Sequence, residues 1–330
     1  MRFNPGKIPV IFVFLVIVSL FLITSVSAVE SVPPLPTAGN PSPSLMEVGV
    51  YVNAINNLDF IKGTYSEDFY LHFRWIDPTI KTAEFEIMNG RVSSGSYSVR
   101  QLSANKSGLV KEEWYRVRAD FDVAPNIRNY SFESGTLPIE IEDGAHDETH
   151  LIYVPLVNES GIDPLVEIPG WTIGTPVFSM TDHSYPWGQT YSRIFFNVPV
   201  TKNPMDSFIQ TLLPPLLFCL IAMLSFFINL EHRELLPLRY GLTTSMFISA
   251  VMYDFSQVSL LPGLGVLKLF DKFMISVYLF LAATIVVTTL CYLAQRKWER
   301  PELVKPINQY GMVVSIILPI VLFWLLVTLM

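Results

Sequence analysis

Apolar and polar residues alternate along much of the first two thirds of the chain, whereas the last third consists of long apolar runs. In residues 69–75 every second position is apolar, beginning with Phe69, Leu71 and Phe73. Similar runs recur at 48–52, 85–88, 115–121, 138–141, 151–156 and 192–200. Such alternation is typical of strands with one buried face. About seven to ten short strands of this kind predict a two-sheet β-sandwich.

Four apolar segments follow the alternating region, at 208–228, 238–261, 273–292 and 311–330. Each has about 20 residues or more, enough to cross a bilayer as a helix. Lys and Arg concentrate in the first and third loops between them, so the positive-inside rule places these loops in the cytoplasm. The predicted fold class is an extracellular β-sandwich at 45–206 and a four-helix transmembrane domain at 207–330, with the C-terminus also outside.

The N-terminus has the pattern of an export signal. Arg2 and Lys7 precede an apolar stretch at 8–23, and small residues end the segment at 26–28. This pattern predicts a cleavable signal peptide over 1–28, followed by a Pro/Ser-rich leader at 29–44. The alternative is an uncleaved anchor helix, for which the apolar stretch is short. Both interpretations export the following domain.

Composition and charge exclude several function classes. The chain is 51% hydrophobic and 15% charged, and both cysteines, Cys219 and Cys291, lie inside apolar runs. A disulfide framework and a Cys-based zinc site are therefore excluded. No Lys/Arg cluster with interleaved aromatic residues occurs, which excludes a basic nucleic-acid binder. Residues 30–206 carry 12 Lys and Arg against 23 Asp and Glu, so the net charge of −11 lies in the exported part.

The second apolar segment is more polar than the other three, with several hydroxyl side chains and Asp254. One interpretation is a buried bundle helix whose hydroxyls bond its own carbonyls. The other is a pore lining, wetted by small polar residues and closed by a ring of apolar side chains, which requires a symmetric ring of subunits. Asp254 lies off the candidate stripe, so we expect it to bond a neighbouring helix. At helical spacing the stripe consists of Gly241, Ser245, Ile248, Met252, Phe255 and Ser259.

The order of these segments, together with two local motifs, resembles the prokaryotic pentameric ligand-gated ion channels, relatives of the Cys-loop receptors. Residues 65–75 (YSEDFYLHFRW) resemble the second strand of that family, and residues 129–137 (NYSFESGTL) resemble its signature loop. Val123 and Leu137 stand at the two cysteine positions of the family, so the disulfide is absent here, as in prokaryotic members. The chain also departs from the family, with Ser131, Glu133 and Lys202 in place of its proline, aspartate and arginine.

The resemblance implies a homopentamer in which a small-molecule agonist binds between neighbouring outer domains and opens a pore for inorganic ions, without a cofactor. A capping hairpin at 182–189 offers aromatic faces near carboxylates, which suits a cationic amine. The alternative is that these aromatic residues only pack the edge of the sandwich. By the resemblance, the ligand-binding residues are Tyr70, Glu84, Phe85, Glu142, Tyr185, Trp187 and Tyr191.

The resemblance also implies that the signature loop and the turn at 59–64 press on the segment that follows the pore helix. The residues implied for this coupling are Tyr130, Phe132, Glu133, Lys202, Pro262 and Asp271. Charge selectivity stays open, because residues 237–239 (Pro-Leu-Arg) resemble a step of anion-selective members. The acidic outer domain instead favours cations.

Two other function classes compete with a channel. His146 and His150 stand four residues apart, which suits a shared zinc on a helix, whereas a strand-to-strand acidic turn is the bland interpretation. No P-loop, dinucleotide fingerprint or Gly-x-Ser-x-Gly occurs, so an enzyme is not predicted. The remaining alternative is a non-conducting membrane-anchored sensor or adhesion protein that uses the sandwich to bind a partner.

Overall fold

The computed structural model describes residues 43–91, 97–106, 108–123, 128–228, 233–259 and 267–329. The predicted signal peptide, nearly all of the predicted leader and Pro262 lie outside these residues. Eleven strands come first in the described chain, and helices follow. The strands are β1 Ser44–Asp59, β2 Thr64–Trp75, β3 Phe85–Ile87, β4 Ser98–Asn105, β5 Lys111–Asp122, β6 Ser134–Asp143, β7 Leu151–Pro155, β8 Gly161–Ile162, β9 Trp171–Ile173, β10 Val177–Ser184 and β11 Thr190–Lys202.

The strands form two sheets that enclose one apolar core, as the alternating pattern predicted. The first sheet has the order β4-β5-β2-β1-β7 with β8 paired to β1, and the second has the order β10-β11-β6-β3 with β9 paired to β11. Phe69, Leu71 and Phe73 of β2 are fully buried in this core, because side chains two residues apart point to the same face of a strand.

The expectation of seven to ten short strands was wrong in number and in length. Four of the eleven described strands, β1, β2, β5 and β11, have 12 to 16 residues. Alternation reveals only strands with one buried face. Strand β4 is exposed along its whole length, and β8 and β9 have two and three residues, so none of these gives a pattern.

Four helices follow the sandwich within the described residues: α1 Pro204–Phe227, α2 Leu236–Val258, α3 Leu269–Arg296 and α4 Val304–Leu329. The segments that contain α1, α3 and α4 are long and apolar enough to cross a membrane, so the chain is a membrane protein. Helix α2 has 23 residues but does not meet the same criterion of apolarity, because of its polar residues. Only three of the four predicted spans are therefore shown.

The sandwich continues directly into the helices. Strand β11 ends at Lys202, and the Asn203 side chain caps α1 by accepting a hydrogen bond from the Met205 N–H at 3.0 Å. Ile61, in the β1–β2 turn, and Tyr130, in the signature loop, pack in one apolar cluster with residues of α1, α2 and α3. This end of the sandwich therefore rests on the helices.

Helices α3 and α4 approach each other closely at a glycine. A Cβ atom built on Gly311 of α4 would lie 2.5 Å from a methyl group of Val287 on α3. No real Cβ contact is that short, so only glycine fits at this position.

Candidate functional site

The predicted capping hairpin is the turn between β10 and β11. The Tyr185 N–H bonds the Gln189 carbonyl at 2.9 Å, and Gly188 has φ of +91°, which glycine adopts without strain. The ring of Trp187 stacks on Tyr185 with centroids 4.4 Å apart, and Tyr191 meets Tyr185 edge-on at 5.7 Å. Of the five aromatic residues implied for ligand binding, Trp187 and Tyr191 therefore contact Tyr185 at this hairpin.

Glu142 connects this aromatic cluster to the sheet beneath it. Its carboxylate accepts a hydrogen bond from the Tyr185 hydroxyl at 2.9 Å and from Arg193 Nε at 2.8 Å. Burial, and then the bond to Glu142, raise the pKa of Tyr185 above its ordinary value. Arg193 was not among the predicted site residues, although it faces Glu142 across the β6–β11 ladder. The signal for Arg193 is a cationic residue in an otherwise alternating strand, placed opposite a carboxylate of the neighbouring strand in the sheet.

The other residues implied for ligand binding lie elsewhere. Phe85 points into the sandwich, with its ring centroid 4.9 Å from that of Phe73 and of Tyr115. Phe85 is partly buried and packs against the sandwich core, and its role in ligand binding stays a prediction. Glu84 is exposed next to Phe85. Tyr70 lies on the first sheet, where the Arg116 guanidinium sits 5.6 Å from its ring. Within one chain, only Glu142 and the three hairpin aromatics form a cluster.

The candidate pore stripe on α2 is exposed along its whole length in the single chain. Ile248, Met252 and Phe255 are 62%, 63% and 73% exposed, whereas Thr243 and Ala250 on the opposite side are fully buried. Gly241, Ser245 and Ser259 are exposed as well. The exposed stripe is small and polar near the N-terminal end of α2, at Gly241 and Ser245, and apolar from Ile248 to Phe255.

Hydroxyl groups of α2 bond its own backbone, as the bundle interpretation expects. The Thr243 hydroxyl donates to the Arg239 carbonyl at 3.0 Å, and Ser249 donates to the Ser245 carbonyl at 2.9 Å. The expectation for Asp254 is confirmed, since the Tyr278 hydroxyl of α3 donates to its carboxylate at 2.7 Å. These bonds reduce the cost of polar groups without covering the exposed stripe.

Three of the residues implied for coupling, Tyr130, Glu133 and Lys202, meet at the junction of sandwich and helices. The Glu133 carboxylate is buried and pairs with the Lys202 ammonium at 2.8 Å. That ammonium also lies 5.8 Å from the centre of the Tyr130 ring. Phe132 is half-buried and belongs to the same loop as Tyr130 and Glu133. Asp271 instead caps α3, accepting a hydrogen bond from the Lys268 N–H at 3.0 Å.

Each of the two histidine rings pairs with a neighbouring carboxylate. The ring of His146 pairs with Asp143 at 3.0 Å, and that of His150 pairs with Asp147 at 2.7 Å. Residues 148–150 form a turn that leads into β7, which confirms the turn setting. Among the described residues, no group of three or more His, Cys, Asp or Glu is placed to hold a metal ion.

Comparisons with protein-family models and with curated proteins returned no match to the chain. The likeness to pentameric channels therefore rests on the motifs and their order.

Proposed function

We propose that the chain is the subunit of a homopentameric ligand-gated ion channel, in which agonist binding between extracellular domains opens a pore lined by α2. The observation that carries the proposal is the exposed stripe of α2. Helix α2 packs against α1 and α3 and leaves Ser245, Ile248 and Ser259 exposed. Because lipid cannot satisfy the polar members of this stripe, the face needs water or a protein partner. Copies of the same stripe around a central axis supply it.

A ring also accounts for the polar residues of α2. Facing a water path, the small residues at its inner end escape the penalty that lipid imposes on polar groups. Ile248, Met252 and Phe255 narrow the outer half, where a ring of apolar side chains closes a path by expelling water. On this proposal α2 is the fourth membrane span.

The agonist site is proposed at the β10–β11 hairpin. Tyr185, Trp187 and Tyr191 offer aromatic faces, and the Glu142 carboxylate lies directly beneath them. A cationic amine gains about 0.5–2 kcal/mol from each aromatic face. Trp187 is 66% exposed in one chain, so the site is open to a neighbouring subunit, whose Tyr70 completes it.

Binding opens the pore only if the agonist favours the open state by differential affinity. The proposed route runs from the hairpin along β11 to the signature loop and then to the helices. It is supported by the packing of Tyr130 and Ile61 against the helices and by the Lys202–Glu133 pair.

We place the channel in the plasma membrane of a prokaryote, with the sandwich and the C-terminus outside. Its permeant ions are proposed to be cations, because residues 30–206 carry a net charge of −11 and attract them to the outer mouth.

The test is the current through the purified full-length protein in planar bilayers, with amines, acid pH and Ca²⁺ removal as triggers. Ile248→Ala and Phe255→Ala should alter the gated current. Ile317→Ala is the matched control, since this α4 residue is 54% exposed but outside the stripe. The reversal potential in asymmetric salt decides between cations and anions. Silence from a correctly assembled oligomer and from both stripe variants would instead favour the non-conducting sensor.

A further inference from the structure

Two consecutive prolines near the start of α1 remove two donors from its backbone. In an α-helix, residues 214 and 215 would donate to the carbonyls of Gln210 and Thr211, but Pro214 and Pro215 have no N–H. The prolines directly follow a π-helical turn at Phe208–Leu212 and its neighbour Leu213. A backbone carbonyl without a partner is costly inside a membrane, so these two carbonyls need a donor from another element.

Tyr253 of α2 is that donor. Its hydroxyl oxygen lies 2.8 Å from the Gln210 carbonyl and 3.0 Å from the Thr211 carbonyl, so its one proton is shared between them. We infer that Tyr253 positions α2 against α1 by supplying the donor that Pro214 and Pro215 withhold from these carbonyls.

The same face of α2 receives the contact from the sandwich. The Tyr130 hydroxyl of the signature loop donates to Gln257 at 3.1 Å, and Gln257 lies four residues after Tyr253, on the same helix face. Phe270 of α3 meets Tyr130 at 6.2 Å and Tyr253 at 6.3 Å between ring centroids, edge-on or steeply tilted in each case. Tyr253 therefore lies where the signature loop, α3 and the start of α1 all bear on α2.

The consequence of this inference for gating rests on the proposed function. If α2 lines the pore, any movement of α2 relative to the start of α1 stretches or exchanges the bonds of the Tyr253 hydroxyl. Tyr253 is then a positioning residue for gating, although it lies off the exposed stripe and touches no permeant ion.

The inference is tested by giving the carbonyls their donors back. Tyr253→Phe keeps the ring and removes the hydroxyl, so the rate of thermal denaturation of the full-length protein should rise about tenfold. In a Pro214→Ala/Pro215→Ala background the restored N–H groups serve the same carbonyls, and the same substitution should change the rate by less than about twofold. An effect of equal size in both backgrounds would overturn the inference.

Single-proline variants keep the test decisive if the double variant does not fold. Pro214→Ala restores the donor for Gln210 alone, so it should reduce the effect of Tyr253→Phe only in part. The matched control is Tyr240→Phe on the same helix, whose hydroxyl bonds Thr289 at 2.9 Å. Its effect should be the same with and without the prolines. If Pro214→Ala leaves the effect of Tyr253→Phe undiminished, the inference is wrong.

The gating consequence is read from currents evoked by the same amine panel. Tyr253→Phe should shift the half-activating concentration about tenfold, and the shift should disappear in the proline-to-alanine background. Normal activation of Tyr253→Phe would refute a role in gating. If the wild-type protein carries no current, the channel proposal fails, whereas the denaturation experiment still decides the position of Tyr253.

Discussion

An ion pair lies near each end of the ladder between β6 and β11, one through Glu142 on β6 and the other through Glu133 just before β6, and the two pairs differ in kind. At the hairpin end, Arg193 bonds Glu142 and also donates to the Tyr185 hydroxyl at 3.2 Å. At the helix end, Lys202 meets Glu133 through one ammonium group. A guanidinium fixes the orientation of its carboxylate partner through several N–H donors, whereas an ammonium acts as a point charge. The hairpin end is therefore held in one geometry, and the helix end tolerates movement.

A third buried carboxylate, that of Glu67, differs from those of Glu133 and Glu142, because no cation among the described residues pairs with it. Glu67 of β2 is 3% exposed, and neither of its oxygens has a hydrogen-bond partner among the described residues. Its neighbours at 65 and 69 also point into the core. Burial raises the pKa of Glu67 from 4.5 to about 8, so the folded sandwich holds this group as a neutral acid at neutral pH and below.

The largest predicted effect is therefore on the pH dependence of the unfolding free energy. Because the folded state holds the proton of Glu67 more tightly than the unfolded state, its contribution is complete below pH 4.5 and is lost as pH rises to about 8. The unfolding free energy should fall by about 4 kcal/mol over that range. Glu67→Gln should abolish this component in denaturant titrations at several pH values. Exposed Glu84→Gln is the control, and an unchanged slope in Glu67→Gln would contradict the prediction.

The next effect concerns the hairpin end. Arg193→Met leaves the Glu142 carboxylate buried without its cation, so the unfolding free energy should drop by about 3 kcal/mol. Denaturant unfolding of the full-length protein, followed by tryptophan fluorescence, measures the loss. Arg100→Met on the exposed strand β4 should stay within about 0.5 kcal/mol of wild type. Equal losses of unfolding free energy in the two variants would show that the Arg193–Glu142 pair contributes no more to stability than an exposed arginine.

Lys202→Met should lower the unfolding free energy by about 2 kcal/mol, less than Arg193→Met. The substitution removes a single ammonium group whose side chain is 25% exposed. Lys202→Arg restores the charge and should recover most of the stability. The same denaturant titration checks both variants. A larger loss of unfolding free energy in Lys202→Met than in Arg193→Met would contradict this prediction.

The smallest effect on stability is expected at the tip of the hairpin. Trp187→Ala should change the unfolding free energy by less than about 0.5 kcal/mol, because the side chain is 66% exposed. Under the channel proposal, the same change should weaken activation by an amine about tenfold. Trp298→Ala, 45% exposed after α3, should leave activation unchanged. A strongly destabilised Trp187→Ala would mean that the hairpin aromatics pack the sandwich edge.

The sequence predicted the features that depend on periodicity. Alternation at 69–75 located β2, and apolar length located α1, α3 and α4, because burial imposes these spacings directly. The stripe from Gly241 to Ser259 could also be read at helical spacing, and the structure leaves it exposed.

Features that depend on pairing between distant residues could not be read from the sequence. Alternation assigns Glu67 to the same face as Phe69, but a carboxylate at that position reads as a break in the pattern rather than as a buried acid. The packing of Phe85 against the sandwich core depends on the pairing of β3 with β6. The donor role of Tyr253 follows only from the approach of α2 to the prolines of α1.

The tight fit of Gly311 against Val287 has a consequence for how the last helix stays attached. Lipid tails are as apolar as the surface of α4, so no hydrophobic gain drives it onto α3. Close packing at Gly311 and the hydrogen bonds of Asn308 with Arg239 and with the Phe226 carbonyl hold it instead. The α4 segment is also the least buried of the three apolar segments. Acyl chains that enter the seam compete directly with the helix for the same surface. We therefore expect the composition and thickness of the bilayer to affect how firmly α4 packs on α3.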